Sequence, residues 1–166
     1  KNMNNYNVIQ KYINDTFLIN KRKITLRIYL LVIYKNKQIN FYIHKTGKCL
    51  YTTKNYNEAN NENNLDSEYD SLITSAPNNL DLEVYNNNPH TLKDLKKYLT
   101  ENNYNYDLLY KNIIKNIKIV SNCFIDILYK KNNICKNTCF QLFGLDYIFN
   151  NKLDTFLLEI NKGPNM

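Results

Sequence analysis

Apolar residues in this chain follow two periods. From Ile24 to Tyr34 (ITLRIYLLVIY) β-branched and aromatic residues dominate, and Arg27 is the one charge inside; that composition predicts a strand. Lys35 to Lys37 predict a turn, Ile39 to His44 a second strand with partial alternation, Gly47 another turn, and Cys49 to Thr53 a third short strand. The short connections make this an antiparallel meander. Upstream, Val8 to Ile13 (VIQKYI) suits either a strand or a buried connection.

A helical period then replaces the strand pattern. Leu92, Leu95, Tyr98 and Leu99 form one apolar face, and Thr91-Leu92-Lys93-Asp94 resembles a capping box with Asp in the Glu position. A second helix is predicted from Tyr106 to Tyr129, with Leu109, Ile113, Ile117, Val120, Phe124 and Leu128 facing a core and Lys111, Lys115 and Lys118 facing solvent. Strand pattern returns at the end. Phe140 to Phe149 and Thr155 to Ile160 make a hairpin around Asn150, Asn151 and Lys152. Residues 54–71 are Asn- and acid-rich and predict a mobile loop; 72–75 return briefly to order, and 78–89 and 132–137 read as loops. The sum is an α+β domain, an antiparallel sheet flanked by helices.

Composition narrows the partners. The chain has 22 basic and 15 acidic residues, a net charge of +7. Such a balance favours nucleic acid, phosphate-bearing ligands or an acidic polypeptide. No RNA-binding signature accompanies the tyrosines, which lie mostly in core-like patterns, so nucleic acid ranks last. Cys49, Cys123, Cys135 and Cys139 lack metal-ligand spacing, which points to a reduced, intracellular chain. The longest apolar run is too short to span a bilayer. Lys1 in place of an initiator Met suggests a piece of a longer protein.

Chemistry concentrates in the terminal hairpin. Asp146 lies between Leu145 and Tyr147, and Glu159 between Leu158 and Ile160. Glu159 and Asn161 share a face because strand side chains alternate. A tight, even-length turn places Asp146 opposite Leu157 with Glu159 diagonal to it; a bulge shifts that register. Two carboxylates and an amide oxygen in an apolar hairpin suit a magnesium ion. They also suit acids that simply face water, and the residues alone leave the two readings at even odds. Arg27 is a lone guanidinium in an apolar strand. It suits either a bidentate grip on phosphate oxygens or an ion pair with a core carboxylate.

FQLFGLDYIF followed by FLLEINKGPNM resembles the closing signature of the tubulin–tyrosine ligase-like family, an (E/Q)LFGxD strand followed by an LLExNxxP strand. The resemblance extends through the whole chain. VIQKYI resembles the family's hinge segment, Arg22 to Arg27 its RKFDIR motif, and TLKDLKKYL its helix after HLTN. It implies an ATP-grasp fold, with residues 1–166 forming the C-terminal part of the domain. It implies ATP and Mg2+ as cofactors, the metal held by Asp146, Glu159 and Asn161. Gln10, Lys11, Tyr12 and Ile13 would receive adenine, Lys23 and Arg27 would act on the phosphates and the reacting groups, and Thr74 would contact nucleotide or acceptor. Four positions depart from the family pattern in ways that touch chemistry. Thr25 stands for an Asp, Leu50 for a second phosphate-binding Arg, and Leu72 for the His of HLTN; Ser75 also replaces its Asn. Lys45 and Lys48 are charged neighbours that could compensate.

The implied activity is an ATP-dependent carboxylate–amine ligation through an acylphosphate. It would add glutamate, glycine or tyrosine to a glutamate of an acidic, tubulin-like protein tail, in the cytoplasm or on microtubules. The alternative is a degenerate relative that binds ATP or the acidic tail without efficient ligation.

Overall fold

The computed structural model describes residues 11–56, 74, 83–130 and 138–165. The expected loop at 54–71 lies outside these residues except for 54–56, as do Gln10, Leu72, Ser75 and the loop at 132–137.

The architecture is α+β. Six strands form an antiparallel sheet: β1 (Leu18–Ile19), β2 (Arg22–Lys35), β3 (Gln38–Ile43), β4 (Lys48–Tyr51), β5 (Cys139–Phe149) and β6 (Thr155–Lys162). The helices are α1 (Glu83–Asn86), α2 (Leu92–Glu101) and α3 (Tyr106–Lys130). Strand β2, at 14 residues, is the spine of the sheet. One of its edges pairs with β5 from Leu26↔Tyr147 to Tyr34↔Cys139. The other edge is shared. β3 takes the half from Leu30 to Lys35, and β4 takes the half from Ile24 to Arg27. The expected meander is therefore corrected: β4 pairs with β2 and not with β3. β2 is long enough to pair with both short strands along one edge, and the turn at Gly47, left-handed at φ 54°, returns the chain to that edge.

The two tight hairpins at β2 are set by local chemistry. Asn20-Lys21 and Asn36-Lys37 have φ of 48°, 63°, 51° and 62°. Two consecutive left-handed residues form the loop whose twist matches paired strands, and Asn tolerates that conformation best. Residues 78–89 contain the short α1, a difference from the loop expected there; Asn88 Nδ2 donates to the Val84 carbonyl at its end.

Alternate residues of β2 turn to opposite sides. Ile24, Leu26, Ile28, Leu30 and Val32 face the core and are buried, with Leu145, Tyr147 and Phe149 of β5 beside them. The helices supply the other layer through Leu92, Leu95 and Leu99 of α2 and Leu109, Ile113 and Ile117 of α3. Burying each such side chain contributes about 1.5–3 kcal/mol relative to exposing it. The lysines at 111, 115 and 118 are exposed, as the helical period predicts. Two amides lock α3 to the final hairpin: Asn112 Nδ2 donates to the Leu153 carbonyl at 2.9 Å, and Asn116 Nδ2 to the Thr155 carbonyl at 3.0 Å. No helix among the described residues is long and apolar enough to cross a membrane.

Two outcomes follow from this packing. The Tyr147 hydroxyl is buried without a hydrogen-bond partner, and burial pushes its pKa up. Such an orphan costs about 1–3 kcal/mol, so Tyr147→Phe should raise the denaturant midpoint; a clear fall would reveal a partner for the hydroxyl. Thr91 and Asp94 form a reciprocal cap, with Asp94 N donating to Thr91 Oγ1 and Thr91 N donating to Asp94 Oδ2. The bond from the Thr91 hydroxyl holds the Asp94 carboxyl below its ordinary 3.8. A carboxylate depressed in the folded state stabilises above its unfolded pKa, and that stabilisation is lost as pH falls through the folded value. Thr91→Ala should therefore cost about 1 kcal/mol near neutral pH, with the penalty shrinking once the pH drops below the unfolded value. A penalty constant down to pH 2 would rule out the Asp94 carboxylate as its source.

Candidate active site

The face of the sheet opposite the helices carries one row of charges. Cross-strand register aligns Lys48 of β4 with Arg27 of β2, Arg27 with Asp146 of β5, and Asp146 with Glu159 of β6. Directly opposed residues share a face, so two cations and two carboxylates lie across four adjacent strands. The centre of the row is a fork. Arg27 Nε donates to Asp146 Oδ1 at 2.8 Å and Nη2 donates to Oδ2 at 2.7 Å. Their side chains are only 15% and 10% exposed. The bond to Asp146 drives the Arg27 pKa up against the opposing effect of burial.

The row depends on an irregularity. Pairing runs from Asp146↔Glu159 to Tyr147↔Leu157, so Leu158 is an extra residue in β6. The uninterrupted hairpin expected from the sequence places Asp146 opposite Leu157. This is corrected: a longer turn shifts the pairing by one residue and the bulge by one more, which brings Glu159 directly opposite Asp146. The turn is also longer than Asn150 to Lys152: Asn150 Oδ1 accepts from the backbone N–H groups of Lys152 and Asp154, and Leu153 is left-handed at φ 64°. Asn161 closes the cluster, with Nδ2 donating to Asp146 Oδ2 at 3.1 Å and to Glu159 Oε1 at 2.9 Å.

This donor set fits a magnesium ion. Asp146, Glu159 and the Asn161 carbonyl are hard oxygen donors. The Asn161 amide group already donates through nitrogen, which leaves its Oδ1 without a hydrogen bond among the described residues. No group of three or more His, Cys, Asp and Glu gathers among the described residues. A hard ion held by two carboxylates keeps other positions for water and phosphate oxygens, the usual magnesium arrangement.

Two concavities lie on either side of the row along the strands. The first, of about 590 Å³, is lined by Lys11, Tyr12, Ile13, Asn14 and Asp15 on one wall and Phe156, Leu157 and Leu158 on the other. It unites most of the expected adenine segment with β6. Residues 11–13 belong to no strand, which leaves the connection as the reading of this part of VIQKYI. Lys23 stands over the Tyr12 ring at 5.3 Å, and burial lowers its pKa. Burial, followed by the bond to the Tyr56 hydroxyl at 3.0 Å, raises the Tyr12 pKa. The second concavity, about 430 Å³, is lined by Tyr29, Leu31, Tyr42, His44, Lys48 and Leu142 among others.

Of the remaining expected residues, Thr74 touches Thr25, their hydroxyl oxygens 2.7 Å apart. Thr25 is paired with Leu50 across β2 and β4, so two departures from the resembled pattern are neighbours and leave that spot neutral. The structure also brings in residues with no chemical signature in the sequence. A Cβ on Gly144 would lie 2.7 Å from Pro164 Cβ, so only Gly lets the terminal segment cross β5 there. The Tyr29 hydroxyl donates to the Asn165 carbonyl at 3.0 Å and ties that segment down.

The family model described as "Tubulin-tyrosine ligase family" matches residues 1–166. The chain is similar to human tubulin polyglutamylase TTLL6, 26% identical over 169 residues, covering 95% of this chain and 19% of the relative. It is similar to a probable beta-tubulin polyglutamylase of Tetrahymena thermophila, 27% identical over 180 residues, covering 99% and 15%. It is also similar to human probable tubulin polyglutamylase TTLL2, 28% identical over 160 residues, covering 95% and 26%. The chain thus spans between about a seventh and a quarter of the length of these relatives.

Two substitutions test the geometry. Arg27→Met strands the Asp146 carboxylate, and breaking a buried pair from one side costs about 3–5 kcal/mol. The partial exposure of this pair puts the expected loss at the lower end, read by denaturant unfolding; a loss below about 0.5 kcal/mol, the scale of a surface pair, would refute the fork. Gly144→Ala should detach residues 163–165, visible as faster backbone exchange at Gly163, whose N–H donates to the Leu142 carbonyl. Unchanged protection there would show that Pro164 does not press on β5.

Proposed function

The chain belongs to the tubulin-tyrosine ligase family, an ATP-grasp family, and on that basis we propose that it takes part in ATP-dependent ligation of an amino acid to a glutamate carboxylate of an acidic, tubulin-like protein tail. The observation that carries this reading is the cluster of Asp146, Glu159 and Asn161, hydrogen-bonded together beside the groove of Lys11, Tyr12 and Ile13. Apolar walls from Phe156 and Leu158 suit a flat base, and the carboxylate cluster one step along the sheet suits a metal-bound triphosphate. The relatives named tubulin polyglutamylases support tubulin as the acceptor and the cytoplasm or microtubules as the location. The net charge of +7 suits an acidic tail.

In the proposed reaction an acceptor carboxylate oxygen bonds to the terminal phosphorus of ATP as the bond to ADP breaks. The amine of a free amino acid, such as glutamate, glycine or tyrosine, then attacks the acyl carbon, loses a proton and displaces phosphate. Magnesium, held by Asp146, Glu159 and Asn161, would supply charge neutralisation at the phosphates. The residues of the chain mainly position and neutralise. Arg27 orients Asp146 through Nε and Nη2 and keeps Nη1, which has no hydrogen bond among the described residues, for a phosphate oxygen. Lys23, half-buried and with no carboxylate partner among the described residues, gains an anionic partner in the ligand, which would return its pKa towards the ordinary value. Gln10 would extend the adenine wall, and Thr74 would contact nucleotide or acceptor beside Thr25.

One observation favours a second reading. The neutral Thr25–Leu50 pair lies next to Arg27, where the resembled pattern has an acid and a base, and suits a relative that binds ATP or the acidic tail without efficient ligation.

The deciding experiment compares the full chain with its Glu159→Gln variant for magnesium-dependent ATP binding, ATP hydrolysis and amide formation on a glutamate-rich tubulin-tail peptide. Glu159 is exposed, so the variant should fold. Turnover that drops roughly 10–100-fold in the variant is expected. Binding without turnover in both supports the second reading, and absence of ATP binding overturns the first and reduces the second to binding of the acidic tail.

A further inference from the structure

Lys48 has no role in the site as described so far. It stands opposite Arg27 across β2 and β4. Like charges directly opposed in a sheet repel, and Arg27 spends its charge on Asp146 through both bonds of the fork. Lys48 forms no ion pair or hydrogen bond among the described residues. It is nevertheless half-buried, and it lines the second concavity. That concavity is otherwise aromatic and aliphatic, with Tyr29, Leu31, Tyr42 and Leu142 along the sheet face and the His44 ring 6.2 Å from that of Tyr29. Its volume of about 430 Å³ falls in the ordinary range for a ligand site. A cavity with an apolar body, lined by a lysine that has no ion-pair partner among the described residues, complements an anion on an apolar stem.

We propose that Lys48 and this cavity form the subsite for the side-chain carboxylate of a glutamate within an acidic polypeptide. The proposal rests on the ligase reading for the identity of the polypeptide, and on charge and position for the rest. The cavity and the groove of Lys11, Tyr12 and Ile13 lie on opposite sides of the row formed by Arg27, Asp146 and Glu159. An anion gripped by Lys48 therefore approaches the row from the side away from the groove. The apolar walls take up the methylene stem and the neighbouring residue. Lys48 is a positioning residue here, two residues from Leu50 on the same face of β4, so it returns a cation to a stretch of strand that Leu50 leaves neutral.

A lysine that repels its neighbour when no ligand is bound has a distinctive signature. Its removal should leave the empty protein as stable or more stable while weakening the ligand. The test measures binding of a glutamate-rich peptide, free glutamate and magnesium–ATP to the full chain and to Lys48→Met, Lys48→Arg and Tyr42→Ala, with the melting temperature of each. Tyr42 is 56% exposed, so its truncation should not unfold the protein. Lys48→Met should weaken the peptide roughly tenfold or more, the loss expected for a charged hydrogen bond. Its melting temperature should not fall, its ATP affinity should be unchanged, and Lys48→Arg should restore peptide binding. Tyr42→Ala should weaken the peptide as well. Peptide affinity unchanged in Lys48→Met overturns the proposal, as does a loss confined to ATP, which makes Lys48 a phosphate ligand. A loss confined to free glutamate also overturns it, since the site then belongs to the amino-acid substrate. Peptide that fails to bind the wild-type chain while ATP binds removes this subsite and leaves the nucleotide reading standing.

Discussion

A guanidinium and a carboxylate removed from water need each other, and the Arg27–Asp146 fork is where this sheet meets that requirement. Both groups sit on central strands, where each would be expensive alone. Paired at 2.7 and 2.8 Å they hold β2 and β5 in a single register, because a slip of β5 by one residue would send Asp146 to the core face and leave Arg27 without its partner. The apolar strip of Leu145 and Tyr147 would leave the core in the same slip. Polar specification and hydrophobic burial therefore select the same pairing, the kind of agreement between levels that gives one native state.

The remainder of the polar face is built outward from that fork. The bulge at Leu158 moves Glu159 opposite Asp146, and Asn161 then reaches both carboxylates. Gly144 gives Pro164 room to lie on β5, and Tyr29 ties down Asn165. Residues 163–165 thus lie back across β5 and β2, after the strand that supplies Glu159 and Asn161 to the cluster. Each of these is a small local device, and each is placed by the register of β2 against β5.

Division of labour between the two faces explains how an apolar sheet carries chemistry. One face is closed by α2 and α3 and satisfies the hydrophobic demand of the chain. The other carries the charge row and the cavity lined by Tyr29, Leu31 and Lys48, with exposed Tyr42 beside it. Apolar walls next to fixed charges make a medium in which electrostatic contacts with a ligand count for more than they do in water.

The elements themselves were legible in the sequence because their signals are local. A β-branched run makes β2, a 3.6-residue period makes α2 and α3, and Thr91 with Asp94 caps α2. The motif around Asp146, Glu159 and Asn161 was legible too, through spacing and a family resemblance, and that resemblance extends over the whole chain. Three things were decided only in three dimensions. The length of β2 lets β3 and β4 share one edge, which short connections alone do not reveal. An extra residue in β6 sets the register of the hairpin, and a bulge has no fixed sequence mark at Leu158. Arg27, open by sequence to either a phosphate or a core carboxylate, lies 119 residues from the Asp146 that holds it. The pairing of Lys48 with Arg27, and the cavity beside them, belong to the same class. Side-chain type is written along the chain, but which charge faces which is set by strands brought together from its two ends.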